Sequence, residues 1–125
     1  MGNPVVHFEV VGKDAAALQR FYKQAFDWKI GDPIPATGVQ YAMAFPEGQS
    51  GINGGIGGGR DDYGGHVTFY VEVPDLEAAL TKIQGLGGDT MMPPDQVPGG
   101  PRIALFRDPE GHVVGLVQSG TGRRP

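Results

Sequence analysis

Two stretches of the chain carry apolar residues at helical spacing, and each comes after a run that alternates like a strand. In the first, Leu18, Phe21, Tyr22 and Ala25 form an i, i+3, i+4, i+7 stripe behind Asp14, a residue type suited to cap a helix N-terminus. In the second, Leu76, Ala79, Leu80 and Ile83 repeat the stripe behind Asp75, which is preceded by Pro74. The preceding runs are VVHFEVV (5–11) and HVTFYVEV (66–73). The latter alternates throughout, with Val67, Phe69, Val71 and Val73 on one face and His66, Thr68, Tyr70 and Glu72 on the other. The apolar face is expected to pack on a helix, which leaves the polar face for another purpose.

The segments beyond the two helices match as well. After the first helix come Trp28-Lys29-Ile30, VQYAMAF (39–45) and GINGGIG (51–57); after the second come DTMM (89–92), RIALF (102–106) and HVVGLVQ (112–118). Each half therefore reads β-α-β-β-β. His7 and His66 are 59 positions apart, Asp14 and Asp75 61, and Phe45 and Phe106 61. Strand, cap, stripe and three strands in the same order predict an internal duplication within one domain. Its first module covers 1–58 and its second 66–119, joined by the flexible segment GGRDDYGG (58–65), with a disordered tail over 120–125. DPIPATG (32–38) and MPPDQVPGGP (92–101) read as loops at matching places, and Asp108-Pro109-Glu110-Gly111 as a turn.

Composition narrows the picture. The 22 glycines and 11 prolines among 125 residues raise the question of disorder. An apolar content of 39%, 9% aromatics and a net charge of only −4 oppose it, and suffice for one domain with a modest core. The glycines must then serve turns, close packing or a site. Absence of cysteine excludes disulfide scaffolds, cysteine metal centres and thiol nucleophiles, and fits a reducing compartment. No apolar run reaches membrane-span length, and the start MGNPVVHFEV lacks a signal pattern, so a cytoplasmic location is expected. A pI near 5.2, with Arg123-Arg124 as the basic cluster, argues against nucleic acid as a partner. GINGGIGGG lacks the ending of a phosphate loop and reads as a closely packed strand leading into the linker. Ser50 and Ser119 are the only serines, and neither has a nucleophile context.

Several residues together carry a family resemblance. They are His7, Phe21-Tyr22 and Phe26-Asp27-Trp28 in the first half, then His66, the segment 73–80 (VPDLEAAL) and Gly87-Gly88. The most distinctive piece is Asp108-Pro109-Glu110-Gly111-His112 with Val113-Val114-Gly115-Leu116 directly after it. The chain resembles, over almost its whole length, the vicinal oxygen chelate superfamily of glyoxalase I, bleomycin-resistance proteins and extradiol dioxygenases. The resemblance implies an α+β fold of two tandem βαβββ modules, whose eight strands form a curved, half-open mixed barrel with the ligand in its concave face. It also implies a homodimer as the default assembly.

In the metal-dependent branch, the resemblance implies a divalent ion held by one residue from each of four strands. Histidines usually come from the two opening strands and glutamates from the two closing strands. The opening positions match His7 and His66, while the closing positions fall at Gly55 and Gly115. An open catalytic metal site usually needs at least three protein ligands, and two imidazoles fall short. No cofactor is therefore expected, with His7 and His66 the metal candidates if an ion does bind. Glu9 shares the face of His7 but stands roughly 6–7 Å further along, where it would orient a histidine or stay solvated.

Two roles stand for His7 and His66. Each is a cavity-wall residue hydrogen-bonded to a neighbour, or the pair contacts a ligand and works as general acid and base. His112 lies in a turn and is expected to be solvated. Alternation adds Glu9 beside His7, Thr68 and Tyr70 beside His66, and Asn53 beside Gly55 as ligand-binding candidates, with Gly115 itself in the second half. Met43 joins them on a face shared with Tyr41 and Phe45, whose aromatics also suit a plain core. Glycine in place of glutamate is expected to enlarge this cleft and strip charge from its floor, which favours an apolar or aromatic guest. The leading expectation is a metal-independent protein that binds an unknown small molecule, with neither nucleic acid nor membrane as partner. The alternative is a divalent-metal-dependent lyase, isomerase or dioxygenase of the glyoxalase type using His7 and His66, and a third is a module that binds another protein.

Overall fold

The structure, a computed structural model, describes residues 2–36, 39–46, 51–59 and 63–121. Among them run β1 (Val5–Gly12), α1 (Ala15–Phe26), β2 (Lys29–Ala36), β3 (Val39–Phe45) and β4 (Gly54–Gly58). The second set is β5 (His66–Val73), α2 (Leu76–Gly85), β6 (Asp89–Gln96), β7 (Arg102–Arg107) and β8 (Val113–Gln118). The α+β class and the duplicated β-α-β-β-β order are as the sequence predicts. Two compact units result: His7–Val67, and Thr68–Pro125 together with Met1–Val6. Among the described residues, no helix is long and apolar enough to cross a membrane.

In the first unit the strands lie in the order β2-β3-β4-β1, with β1 and β4 parallel and the other pairs antiparallel. Helix α1 starts where Asp14 accepts the N–H of Ala17 at 3.0 Å. It ends where Asp27 turns left-handed (φ 59°) and donates its N–H to Lys23 O at 2.9 Å. That turn brings Trp28 back along the helix, stacked on Tyr22 with ring centroids 5.6 Å apart. Val10, Ala44 and Ile56 form the buried core, covered by Phe8, Leu18, Tyr22, Trp28 and Ile30. The stripe is narrower than its pattern suggests, because Phe21 is 60% exposed and the helix docks through Leu18 and Tyr22 instead.

In the second unit the order is β5-β8-β7-β6, again with one parallel pair, β5 with β8. Asp75 caps α2 by accepting the N–H of Ala78 at 3.0 Å, and Leu76 and Leu80 pack with Val73, Ala104 and Leu116. Complete burial of a side chain such as Leu76 contributes about 1.5–3 kcal/mol. The apolar face of β5 meets this core only at its C-terminal end, through Val71 and Val73. Val67 and Phe69 are exposed, at 76% and 43%, while Thr68 and Tyr70 are buried.

Two expected loops are partly strand. β2 runs to Ala36 through Pro33 and Pro35, and β6 runs to Gln96 through Pro93 and Pro94. Each terminates the strand order of its unit and pairs with a single neighbour there, with register shifts at the prolines. An edge strand tolerates a missing N–H that a central one would not. Of the proposed linker, Arg60, Asp61 and Asp62 lie outside the described residues, as do residues 122–125 of the tail. Ser119 donates its N–H to Val73 O at 2.9 Å, and Thr121 Oγ1 accepts the N–H of Arg102 at the same distance, so the chain is tied down as far as Thr121.

Candidate functional site

Alternation along β1 puts His7 and Glu9 on one face, and the β1–β4 register sets Glu9 directly opposite Gly55. On the other side of β4, Gly55 is paired with Met43. Its missing side chain is what allows Tyr41, two residues before Met43, to lean diagonally across the strand. A Cβ built at Gly55 would collide with the hydroxyl and ring of Tyr41. The Tyr41 hydroxyl thereby reaches Glu9 and donates to Oε1 at 3.0 Å. His7 Nε2 lies 2.9 Å from the same hydroxyl oxygen. Because the phenol proton is committed to Glu9, His7 supplies the hydrogen of this second bond, and its Nε2 carries a proton.

The other carboxylate oxygen, Glu9 Oε2, lies 2.7 Å from His66 Nε2, with side chains only 8% and 10% exposed. A carboxylate accepts and never donates, so His66 is protonated at Nε2. Its Nδ1 is hydrogen-bonded to the Tyr63 hydroxyl, whose ring meets the imidazole edge-on at a centroid distance of 5.5 Å. Five side chains of the first unit, His7, Tyr41, Glu9, His66 and Tyr63, thus form one continuous hydrogen-bonded chain. Burial pushes the His7 imidazole below its usual value, with the charge of Glu9 pulling the other way. His7 is accordingly neutral at neutral pH.

Glu9 is thus not solvated: its carboxylate is buried and hydrogen-bonded to Tyr41 and His66. Of the other residues singled out in the first unit, Met43 is half-buried on the strand beside Gly55. Asn53 is exposed and accepts the Phe8 N–H with its carbonyl at 3.3 Å. In the second unit, Thr68 is buried and donates its hydroxyl to Val113 O at 2.6 Å. Tyr70, also buried, is paired with Gly115, and a Cβ on Gly115 would stand 2.5 Å from the Tyr70 ring. Both glycines are therefore filled by a tyrosine, from β3 in one unit and from β5 in the other. The expected enlargement of a cleft at these positions does not occur, because the space a glutamate would take holds a phenol.

Tyr41 and Tyr63 carry the site, and neither is among the residues the sequence singles out as ligand-binding. Tyr41 shares the face of Met43, a position equally suited to plain core, and Tyr63 lies in a glycine-rich connector where strand alternation gives no direction. His112 behaves as a turn residue should. Its Nδ1 sits 2.9 Å from Asp108 Oδ2, and the imidazole is raised above its usual value by that hydrogen bond and charge.

The chemistry of the donor set is a poor match for a divalent ion. Two of the four expected positions offer no side chain, and both histidines direct Nε2–H at oxygen acceptors within the protein. Among the described residues, no group of three or more His, Cys, Asp or Glu side chains is arranged to hold a metal. A surface groove of about 770 Å³ between the end of α1 and β2, lined by Lys23, Asp27, Trp28, Lys29 and Phe45 among others, shares no residue with the hydrogen-bonded chain.

Known proteins with related folds and sequences agree with this architecture. A Mycobacterium tuberculosis protein named as a glyoxylase, CFP32, is 31% identical over 109 residues, covering 85% of this chain and 42% of its own length. The anthracycline biosynthesis protein DauV of a Streptomyces species is 27% identical over 126 residues, covering 90% of this chain and 46% of its own length. The chain thus spans less than half the length of these relatives. Among solved structures, methylmalonyl-CoA epimerase from Mycobacterium tuberculosis superposes with a TM-score of 0.69 at 14% identity, covering 91% of this chain and 86% of that one. A hypothetical protein from Bacillus halodurans, BH1468, superposes over 100% of both chains with a TM-score of 0.74 at 12% identity. At such identities the structures establish the fold alone. Residues 5–116 match the sequence pattern of one superfamily, and the chain belongs to it: the Glyoxalase/Bleomycin resistance protein/Dioxygenase superfamily.

Proposed function

We propose that this member of the superfamily binds a small apolar or aromatic molecule without a metal ion, through the face of the first unit that carries His7, Tyr41, Glu9, His66 and Tyr63. One observation carries the proposal. Where a metal-using relative would place a carboxylate, this chain places Gly55 under the Tyr41 ring, and the phenol occupies the junction between histidine and glutamate. His7, a metal candidate by position, is instead hydrogen-bonded to the Tyr41 hydroxyl, which also donates to Glu9.

Retention of a buried carboxylate supports a working site over a structural accident. The β-sheet needs no charge at Glu9, and burying one is costly unless donors compensate it. The name of the relative DauV ties one homologue to the making of polycyclic aromatic molecules, which suits an aromatic guest here.

Metal analysis of protein purified without chelator tests the proposal. Less than about a tenth of an equivalent of any divalent ion per chain is expected, with no change in thermal stability on adding chelator. A stoichiometric ion that is lost in both His7→Ala and His66→Ala would overturn it in favour of a metal-dependent enzyme.

A further inference from the structure

The groove between the end of α1 and β2 differs from the rest of the chain in charge. Acids outnumber Lys and Arg 14 to 10 in the whole sequence, yet the groove lining gathers Lys23 and Lys29 against Asp27. Whatever local pairs the two lysines make, the lining keeps one positive charge in excess. Its apolar part is aromatic. Lys29 stands directly across the β2–β3 ladder from Phe45, so the two side chains share a face. The Phe45 ring reaches towards Gly31, where a Cβ would meet its edge at 3.4 Å, and the residue stays 36% exposed. The left-handed turn at Asp27 delivers a half-buried Trp28, held by Phe8 and Tyr22 at centroid distances of 5.2 and 5.6 Å. The same turn spends the Asp27 N–H on Lys23 O, which satisfies one of the helix-end carbonyls that would repel an anion.

We propose that this groove is a second ligand site, independent of the hydrogen-bonded chain, and that it takes a small planar aromatic carboxylate. The ring of the guest lies against Trp28 and Phe45, and its carboxylate is directed to Lys23 and Lys29. A volume of about 770 Å³ suits such a molecule, since small-molecule sites span roughly 300–1,000 Å³. Aromatic walls favour a flat ring, and the excess positive charge favours an anion over its neutral counterpart. Lysine on an edge strand such as β2 also guards against pairing with another chain, but that role gives no selectivity between aromatic guests.

A matched pair of probes tests the inference: 2-naphthoate and the neutral 2-naphthamide, each titrated into the full chain and followed by NMR. Trp28 is the only tryptophan, so its single indole N–H resonance reports occupancy of the groove. The wild type is expected to bind naphthoate about fivefold more tightly, the gain that exposed ion pairs supply, with shifts centred on residues 23–31 and 45. In the double variant Lys23→Gln with Lys29→Gln the preference should vanish while naphthamide binds as before. Gly31→Leu, which puts a side chain into the groove at a position where a Cβ makes only ordinary contact, should abolish binding of both probes. Equal binding of the two probes to the wild type, a preference that survives in the double variant, or binding that survives in Gly31→Leu overturns the inference. So does failure of both probes to bind the wild type at millimolar concentration. Groove resonances that shift with protein concentration in the absence of probe identify a second copy as the occupant and overturn it equally. Each of these results leaves the metal-independent reading of the first site standing.

Discussion

Substituting Gly55 by alanine tests the central packing relation of the site, because one methyl group forces a choice on Tyr41. The new Cβ would overlap the Tyr41 hydroxyl and ring, so either the strand or the side chain must yield. If the ring holds its place, overpacking costs about 1–3 kcal/mol. If the ring swings out, Glu9 loses the donor now 3.0 Å from Oε1, and His7 loses the acceptor now 2.9 Å from Nε2. A hydrogen bond to a charged group contributes about 1.5–3 kcal/mol and a neutral one about 0.5–1.5, so this route costs about 2–4.5 kcal/mol. Gly55→Ala is expected to destabilise by about 2–3 kcal/mol in urea denaturation, where the ranges of the two routes overlap, a loss larger than most single substitutions produce. Gly64→Ala is the control: no atom lies within 4 Å of a Cβ there, and its effect should stay within about 0.5 kcal/mol. The decisive measurement is the cycle with Tyr41→Ala. In that background the cost of Gly55→Ala should fall to about 1 kcal/mol or less, leaving a coupling energy of about 2 kcal/mol. Should the two costs simply add to within about 0.5 kcal/mol, Tyr41 does not fill the glycine and the substitution of phenol for metal loses its basis.

Other consequences can be checked separately. In a histidine titration by NMR, His112 should deprotonate at higher pH than an ordinary histidine and His7 at lower pH, from the Asp108 bond in one case and burial in the other. The two act oppositely on stability. The raised His112 contributes stability fully below the unfolded-state value near 6.5 and loses it as pH rises through the folded value; the depressed His7 contributes above the unfolded-state value and loses it as pH falls through the folded one. Glu9→Gln removes the charge that opposes the burial of His7, so the His7 midpoint should drop further, and an unchanged midpoint would contradict the geometry around Tyr41. The same variant cannot accept at both oxygens, which leaves Tyr41 or His66 facing an amide N–H and should cost about 1–3 kcal/mol by thermal or urea unfolding.

The fold is legible in the sequence because its signals are local. Asp14 and Asp75 announce their helices by capping chemistry, and each cap bond is present at 3.0 Å. Errors arise where tertiary context overrides local signs. Pro33, Pro35, Pro93 and Pro94 read as loop because proline removes a donor, yet they lie in strands at the edge of each unit's order, where a missing donor is tolerated. The alternating apolar face of β5 reads as wholly buried, but α2 covers only its end, so Val67 and Phe69 remain exposed. A pattern reports what a strand offers, not how far its partner extends.

The site shows the same limit more sharply. His7, Glu9 and His66 are visible to strand alternation because they stand at fixed offsets in regular runs. The two tyrosines that join them are harder to read: alternation places Tyr41 on the face of Met43 without deciding between cleft and plain core, and Tyr63 lies in a connector without periodicity. Gly55 and Gly115 can be read as missing carboxylates, and from sequence a missing side chain looks like vacant space. Protein interiors are close-packed, so an absent side chain is more often the counterpart of a large neighbour than a cavity. Here that neighbour also carries the chemistry. The Tyr41 hydroxyl reaches Glu9 only because Gly55 lets its ring cross the strand, so the glycine standing where the resemblance implies a carboxylate is the same glycine that creates the hydrogen-bonded chain. A side chain at position 55 and the Tyr41 ring cannot share that space, so Gly55→Glu would displace Tyr41 and break its bond to Glu9.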